Sequence, residues 1–171
     1  MSTNRHVILP LACLALSIAG CTSTASGTAI PATTLVPNST ATEVFAGLNA
    51  CQLLDQLYSG EGFNPGENKS ARNQCVAVKP GWGSYALALD PVQGLTEFAT
   101  TNAGVANISV NGRDAMQAET TTGGCVVAIE VAEHARALVI ATLSDTADGA
   151  RACPDAEAFA EKVEPLLPKT Q

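Results

Sequence analysis

Few residues of this 171-residue chain have the types and spacing that enzymatic chemistry requires. Nucleophilic catalysis needs a base beside the nucleophile, and outside the amino-terminal segment the sequence offers one histidine, His134. Ser84 lies in Gly-Trp-Gly-Ser-Tyr, which differs from the Gly-x-Ser-x-Gly turn of hydrolase nucleophiles. We interpret His134 as an exposed residue of a turn between strands. The sequence therefore predicts no catalytic residue and no enzyme, with a hydrolase as the enzymatic alternative.

The acidic residues likewise lack the spacing of a cofactor site. Glu130 and Glu133 could pair, but we interpret them as the solvated end of a strand. Asp155 and Glu157 follow Pro154, as acidic residues often do in the first turn of a helix. Because the sequence has neither a His, Cys and carboxylate cluster nor a phosphate-binding loop, we predict no metal and no other cofactor.

One charged side chain is a candidate for a ligand contact. Arg113 follows Asn111-Gly112 in the stretch Val-Asn-Gly-Arg-Asp-Ala. An arginine at this position could contact a ligand. It could instead bond local backbone carbonyls or Glu119, and we favour this second interpretation.

The acidic net charge argues against one class of partner, the nucleic acids. Nine Lys and Arg residues oppose 16 Asp and Glu, which gives a net charge of −7 at pH 7. Nucleic-acid binding needs clustered Lys and Arg, so we predict no nucleic-acid partner. The chain has one Trp, two Tyr and four Phe, a composition that argues against an aromatic platform for sugars or bases. A hydrophobic content of 46% excludes an acidic disordered tail.

The first 21 residues have the pattern of an exported bacterial lipoprotein. Arg5 precedes an apolar stretch, residues 7–19, that is shorter than the roughly 20 residues of a membrane-spanning helix. Residues 18–21, Ile-Ala-Gly-Cys, resemble the lipobox, in which the Cys receives a diacylglyceryl group and the signal is cut before it. We predict a signal peptide at 1–20 and lipidation of Cys21, which attaches the chain to the extracytoplasmic face of the cell membrane. The alternatives are an ordinary secretory signal that leaves Cys21 as a free thiol, and an uncleaved anchor.

A tether and one domain are predicted to follow the signal. Residues 21–42 are the lipidated cysteine and a segment rich in Ser, Thr and Pro, which carries no charge. Such a composition cannot bury a core. The remaining residues, 43–171, are enough for a single domain with one core.

After the signal peptide and the lipidated residue are set aside, four cysteines remain: Cys51, Cys75, Cys125 and Cys153. An even number in an exported chain indicates two disulfides, for which three connectivities exist. We favour Cys51–Cys75 and Cys125–Cys153, because each bond then joins a helix start to a neighbouring strand. A four-thiolate zinc site and a redox-active pair would both need Cys-x-x-Cys, which is absent.

Runs of strands interrupted by helices predict an α+β fold, with an antiparallel sheet of five or six strands and about three helices. Asn111-Gly112 favours positive φ at both central turn positions and is a strong hairpin signal. Asn49, Asp90 and Pro154 mark the expected helix starts. The predicted helices are Val44–Tyr58, Asp90 to about Gly104, and Pro154–Leu167. The predicted strands are Gln74–Val78, Ser84–Leu89, Val105–Val110, Arg113–Glu119, Cys125–Val131 and Arg136–Leu143.

The order of these motifs resembles that of a known group of proteins. After the lipobox and tether come Cys51-Gln-Leu-Leu, Cys75 before a strand, the Gly-Arg stretch at Arg113, Cys125 opening an apolar strand, and Cys153 leading an Ala-rich helix. This ordered set, over about residues 49–168, is similar to the actinobacterial lipoproteins of the DUF3558 family, a domain of unknown function.

Two features depart from that family's pattern. Asn49-Ala50 replaces the usual Asp-Pro, and the family's Cys-x-Trp is missing, since Trp82 comes seven residues after Cys75. The resemblance implies an envelope lipoprotein without catalytic residues and a fold similar to PsbP/Mog1-like α+β folds.

Together these features predict a non-enzymatic binding or structural domain held at the cell envelope. One alternative is a carrier of an apolar ligand such as a lipid, which would need a cavity lined by sheet residues and a helix. The other is an accessory subunit of an envelope protein complex.

Overall fold

The structure of the protein, a computed structural model, describes residues 43–169. The predicted signal peptide, the lipidation site Cys21 and the predicted tether lie outside these residues. The helices are α1 (Ala50–Tyr58), α2 (Leu95–Thr101) and α3 (Ala152–Val163), with short 3₁₀ turns at Thr146–Arg151 and Glu164–Leu166. The strands are β1 (Gln74–Lys79), β2 (Gly83–Asp90), β3 (Ala106–Val110), β4 (Arg113–Glu119), β5 (Cys125–Ala132) and β6 (Ala135–Leu143).

The six strands form one antiparallel sheet in the order β1-β2-β6-β5-β4-β3. The predicted fold class is therefore confirmed: an α+β arrangement of an antiparallel sheet with three helices in the described residues. The strand bounds differ from the predicted ones by one residue at several ends, as expected where hydrogen bonding at a strand end is gradual. The predicted hairpin is present, with Asn111 at φ 51° and Gly112 at φ 86°.

Helices α1 and α3 cover one face of the sheet, which we call the core face. Strand residues alternate between the two faces, so Leu87, Val127 and Val139 point to the core face and are completely buried. Phe159 of α3 and Leu54 of α1 pack against them. Burial of these apolar side chains is the main source of stability for the domain.

Helix α2 covers only part of the other face, which we call the second face. Its Phe98 is 2% exposed and packs against Ala118, Val126 and Ala128. These residues belong to β4 and β5, at one side of the sheet. The second face of β1, β2 and β6 is left half-exposed.

The predicted disulfide pairing is confirmed. Cys51 of α1 is bonded to Cys75 of β1, and Cys125 of β5 is bonded to Cys153 of α3. Each bond thus joins a helix on the core face to the strand beneath it. Gly66 passes over the first bond, where an added Cβ would lie 2.6 Å from Cys75 Sγ.

The predicted start of the second helix is wrong. Asp90 is the last residue of β2 and pairs with Arg136 of β6, so the helix begins only at Leu95. Gly94 occupies the N-cap position, and Glu97 Oε2 accepts a hydrogen bond from the Gly94 N–H at 2.8 Å. Val92, which lies within the predicted helix, precedes the observed one and is 65% exposed.

The predicted cap at Asn49 and the last helix are present, but the first helix begins at Ala50, six residues after the predicted Val44. Asn49 caps α1, since its Oδ1 accepts hydrogen bonds from the N–H groups of Cys51 and Gln52 at 3.0 and 3.1 Å. The last helix begins at Ala152, two residues before Pro154. None of the helices within residues 43–169 is both long and apolar enough to cross a membrane.

Candidate functional site

Arg113 lies in a buried network made by its own chain. The side chain is on the core face of β4 and the residue is 8% exposed. Its Nε donates to Glu164 Oε1 at 2.9 Å, and its Nη1 donates to the carbonyls of Pro168 at 2.9 Å and Glu130 at 3.2 Å. The acidic partner is Glu164 rather than the predicted Glu119. These bonds fasten the end of the chain to the sheet, and a ligand contact by Arg113 stays a prediction.

The network also sets the charge state of Glu164. Burial alone would raise the pKa of this carboxyl, but hydrogen bonds from Arg113 and from Asn111 outweigh burial and hold the pKa below its ordinary value. Asn111 Nδ2 reaches the carboxyl at 3.4 Å and also donates to the Glu161 carbonyl at 2.9 Å. The folded state therefore favours the ionised form of Glu164, paired with Arg113.

Ser84 and His134 are too far apart to act together. Ser84 pairs with Thr142 at one end of β6, whereas His134 lies in the turn just before the other end. The six steps along the strand from Arg136 to Thr142 alone span about 20 Å at roughly 3.3 Å per residue. His134 is in a turn, as predicted, and its side chain is 64% exposed, with Nδ1 3.3 Å from Glu97 Oε1. The arrangement does not provide a nucleophile with a neighbouring base.

No group of three or more His, Cys, Asp and Glu side chains within residues 43–169 could hold a metal ion. Glu130 and Glu133 lie at the end of β5 and in the turn that follows, beside a cleft of about 630 Å³. Glu43 and Lys169 also line this cleft. Its acidic lining is a solvated surface of the kind expected for the end of a strand.

Most of the aromatic side chains meet at one end of the core face. The Tyr58 and Tyr85 rings stack at 4.8 Å between centroids, and Tyr85 is also 4.7 Å from Trp82 and 4.6 Å from Phe159. Phe63 completes the cluster. Tyr58, Tyr85 and Phe159 are buried, so these rings serve chiefly as packing.

Lysines take the outer positions of this cluster. Lys79 Nζ lies 5.4 Å from the centre of the Phe63 ring, and Lys162 Nζ lies 4.8 Å from the centre of the Tyr58 ring. Burial, together with the neighbouring Tyr85, raises the pKa of the Tyr58 hydroxyl above its ordinary value. The aromatic cluster is thus largely buried and is covered by two lysine side chains, whereas the aromatic platform of a sugar-binding site is exposed.

The open part of the second face is the candidate binding surface. It consists of half-buried apolar side chains on three neighbouring strands, and both ends carry an exposed valine. Val78 is 46% exposed and Val92 is 65% exposed, and they are the exposed large hydrophobic residues of the described chain. We call this set the open face: Val76, Val78, Ala86, Ala88, Val92, Leu138 and Ile140.

A groove of about 510 Å³ lies at the Val92 end of the open face. Ala88 and Leu138, which are paired across β2 and β6, form its apolar floor. Residues 72–74, at the start of β1, line one side, and residues 90–93, at the end of β2 and just after it, line the other. The groove exists because the side chain of Ala88 is small, while the side chains around it are larger.

A half-buried asparagine fixes the first wall of the groove. Asn73 Nδ2 donates to the Leu48 carbonyl at 2.9 Å, and its Oδ1 accepts from the Ala50 N–H at 2.9 Å. The Asn73 carbonyl accepts from the Leu89 N–H at 2.9 Å. The wall is therefore tied both to the start of α1 and to the end of β2.

A buried arginine fixes the second wall. Arg136 Nη1 donates to the Gly94 carbonyl at 3.0 Å, and its Nη2 donates to Gln93 Oε1 at 2.8 Å and lies 3.7 Å from Asp90 Oδ2. Burial lowers the pKa of Arg136, and the nearby Asp90 carboxylate opposes that effect. The guanidinium also lies over the Phe98 ring, 5.6 Å from its centre. Both walls are thus held in place before anything binds.

Sequence reasoning did not identify this groove. It predicted residues 90–93 as the start of a helix, whereas Asp90 ends β2 and the helix begins at Leu95. The only sequence signal for the groove was the run of small and apolar residues in β2 and β6. In β2, buried and half-buried residues alternate, as they do in many strands that pack on one face. Nothing in that run shows which face a helix covers.

Comparisons with protein-family models, with curated proteins and with solved structures find no match to this chain. The resemblance to the DUF3558 family and to PsbP/Mog1-like folds accordingly stays a prediction.

Proposed function

We propose that this chain is a cell-envelope lipoprotein whose extracytoplasmic domain binds another envelope protein on the open face. One observation carries the binding part of the proposal. The exposed large hydrophobic residues of the described chain, Val78 and Val92, flank one continuous half-exposed apolar surface with a groove in it. Contiguous apolar surface with a polar border is typical of a protein interaction site. Arg72, Gln74 and Gln93 supply that border.

The envelope location is supported by two independent features. The lipobox at residues 18–21 follows a signal-like apolar stretch. Two disulfides in a domain of this size fit an oxidising compartment outside the cytoplasm. The proposal includes membership of the DUF3558 family, which rests on the ordered cysteines and the Gly-Arg stretch at Arg113.

The proposed activity is binding without catalysis. The separation of Ser84 from His134 and the position of Glu130 and Glu133 at a solvated strand end support this part of the proposal. The domain would act as an accessory subunit of an envelope complex, held near the membrane by its lipid.

A second candidate function is the carriage of an apolar ligand such as a lipid. The groove favours it, because about 510 Å³ is within the range of roughly 300–1,000 Å³ for small-molecule sites. The floor of the groove is made of sheet residues, as a carrier requires. The expected helix is missing from its wall, because residues 90–93 precede α2, which begins at Leu95.

Co-purification from detergent-solubilised membranes tests the proposal. The full chain is compared with Val92→Asp, which places a charge at the groove, and with Val78→Asp, the matched change at the far end of the face. We expect a protein partner that is retained by wild type and lost by Val92→Asp, with a smaller loss for Val78→Asp. Ala88→Arg, which fills the groove, should also abolish retention.

Native mass spectrometry of the same samples separates the two candidates. A lipid bound to wild type and absent from Ala88→Arg, with no protein partner, would favour the carrier. Equal recovery of every associated molecule by wild type and by the Val92→Asp and Ala88→Arg variants would contradict both.

A further inference from the structure

Arg72 lies at the rim of the groove without an acidic partner. Residues 43–169 hold all 16 acidic residues and every basic residue except Arg5. Most of these basic residues form ion pairs with acidic side chains: Lys69, Arg113, Arg136, Arg151 and Lys162. No acidic side chain of the described residues pairs with Arg72, although acidic residues are twice as numerous there as basic ones. An unpaired cation in so acidic a domain is a candidate for contact with another molecule.

The two remaining lysines are placed differently from Arg72. Lys79 Nζ lies 5.4 Å from the centre of the Phe63 ring, where the ring attracts its charge. Lys169 lines the cleft that Glu43 and Glu130 also line. Among the cations within residues 43–169, Arg72 is therefore the one that borders an apolar groove with its charge still available.

The acidic residue that lines the groove is already engaged. Asp90 lies on the wall opposite Arg72. Its Oδ2 is 3.7 Å from Arg136 Nη2, and its Oδ1 accepts a hydrogen bond from the Val92 N–H at 3.1 Å. The groove thus presents two arginines and one carboxylate, and its local charge is positive.

The loop before β1 holds the backbone of Arg72 in place. Ser70 Oγ accepts a hydrogen bond from the Arg72 N–H at 3.0 Å. The Arg72 carbonyl accepts hydrogen bonds from Asn68 Nδ2 at 3.0 Å and from the Gln74 N–H at 2.9 Å. Because this backbone is ordered beforehand, binding has to order only the arginine side chain, which lowers its entropic cost.

We infer that the partner segment seated in the groove carries an Asp or Glu that pairs with Arg72, next to an aliphatic side chain that covers Ala88 and Leu138. The inference rests on the proposed function and adds the chemistry of the partner. The N–H groups of a guanidinium match the two oxygens of a carboxylate. Arginine is also among the residues that most often dominate the energy of protein interfaces.

The alternatives to an acidic segment are less favourable at this groove. A basic segment would meet the charges of Arg72 and Arg136. An uncharged one would take the Arg72 guanidinium out of water without a partner, which costs free energy. The negative net charge of the domain opposes an acidic partner mainly at long range, because salt screens exposed charges over about 8 Å.

Photo-crosslinking of the full chain in isolated membranes tests the inference. A benzophenone amino acid replaces Val92, and Arg72 is kept or changed to Gln, Glu or Lys. We expect the yield of partner adduct to fall about five- to tenfold in Arg72→Gln and further in Arg72→Glu, with an intermediate yield in Arg72→Lys. The matched control is Arg151→Gln, which removes the same charge from an exposed ion pair just before α3 and should leave the yield unchanged.

The sequence of the adduct supplies a second measurement. Peptide mapping should find an Asp or Glu within about four residues of the crosslinked position in the partner, since four extended residues span about 13 Å. Changing that acid to Lys should abolish the adduct with wild type. Combining it with Arg72→Glu should restore the adduct, because the exchanged pair again has opposite charges.

The results distinguish this inference from the proposed function. Absence of a discrete protein adduct from position 92 would refute the proposed function and the inference with it. An adduct that Arg72→Gln and Arg72→Glu leave unchanged, or that Arg151→Gln lowers equally, would overturn the inference alone, as would an adduct peptide without a nearby acid. Native mass spectrometry that finds an anionic lipid and no protein, lost in Arg72→Gln, would assign Arg72 to a lipid headgroup and overturn both.

Discussion

Arg113 Nε lies 2.9 Å from Glu164 Oε1, and both side chains are buried. The pair joins strand β4 to the 3₁₀ turn that follows α3. Because the same guanidinium holds the Pro168 and Glu130 carbonyls, one side chain fixes the carboxyl-terminal segment to the sheet.

We expect Arg113→Met to lower the free energy of unfolding by about 3–5 kcal/mol, because it leaves the Glu164 carboxylate buried without its cation. Urea-induced unfolding measures this loss. The double variant Arg113→Met/Glu164→Leu should recover most of it, since no unpaired charge then remains.

The matched surface control is the ion pair of Arg151 and Asp148, which is about half-exposed and 3.7 Å long. Asp148→Asn should change stability by no more than about 1 kcal/mol. An Arg113→Met variant as stable as wild type would show that the buried pair does not hold the segment.

The same pair predicts a pH dependence of stability. The pKa of Glu164 is lower in the folded protein than its ordinary value of 4.5. The ionised carboxyl therefore contributes stability that is fully present above the unfolded-state pKa and is lost as the pH falls through the lower folded-state pKa.

We expect the free energy of unfolding to fall below about pH 4.5, and to fall less steeply in Glu164→Gln. Some slope should persist in the variant, because backbone hydrogen bonds also lower the pKa of Glu97. Parallel stability curves for wild type and Glu164→Gln would contradict the assignment.

Loss of either disulfide should lower the free energy of unfolding by about as much as Arg113→Met does. The two bonds close loops with sequence separations of 24 and 28 residues. In the chain-entropy model, replacing either pair by alanine costs about 3.5 kcal/mol. Non-reducing peptide mapping should find Cys51 bonded only to Cys75, and a Cys51–Cys125 or Cys51–Cys153 peptide would refute the pairing.

These features were predictable because their signals are local or few in number. Asn111-Gly112 determines a turn through its own backbone preferences, and four cysteines allow only three connectivities. The cap at Asn49 was predictable for the same reason, since its side chain bonds to N–H groups two and three residues later.

The second helix shows where local signals fail. Asp90, Pro91 and Gln93 form a good helix start in sequence, but Asp90 gains a strand partner in Arg136 and the helix starts later. An added Cβ at Gly94 would overlap the Glu133 carbonyl, so the segment packs closely against the β5–β6 turn. Contacts between residues more than forty positions apart decide this region, as the Arg136–Gly94 bond does.

The role of Arg136 in holding the groove wall is open to test. We expect Arg136→Met to raise hydrogen exchange about tenfold or more at the Val92 and Gly94 amides, whose acceptors are the Asp90 and Glu97 carboxylates. Lys79→Met, a change of the same kind at a distant strand end, should leave these amides unchanged. Unaltered exchange in Arg136→Met would mean that the wall stands without the arginine.

The predicted lipid anchor at Cys21 is tested by substitution of that cysteine. Cys21→Ala should abolish acylation and move the chain from the membrane fraction to the soluble fraction. Intact mass and fractionation measure the two effects. A variant that keeps both acyl mass and membrane association would show that Cys21 is not the lipidation site.

Photo-crosslinking from position 92 in intact membranes tests the binding proposal most directly. A benzophenone amino acid is placed at Val92, on the open face, or at Ala158, an exposed position of α3 on the opposite side of the sheet. The account predicts a discrete protein adduct from position 92 that is absent from position 158 and is lost when Ala88→Arg fills the groove. The same adducts from both positions, or an adduct at 92 that Ala88→Arg leaves unchanged, would contradict it.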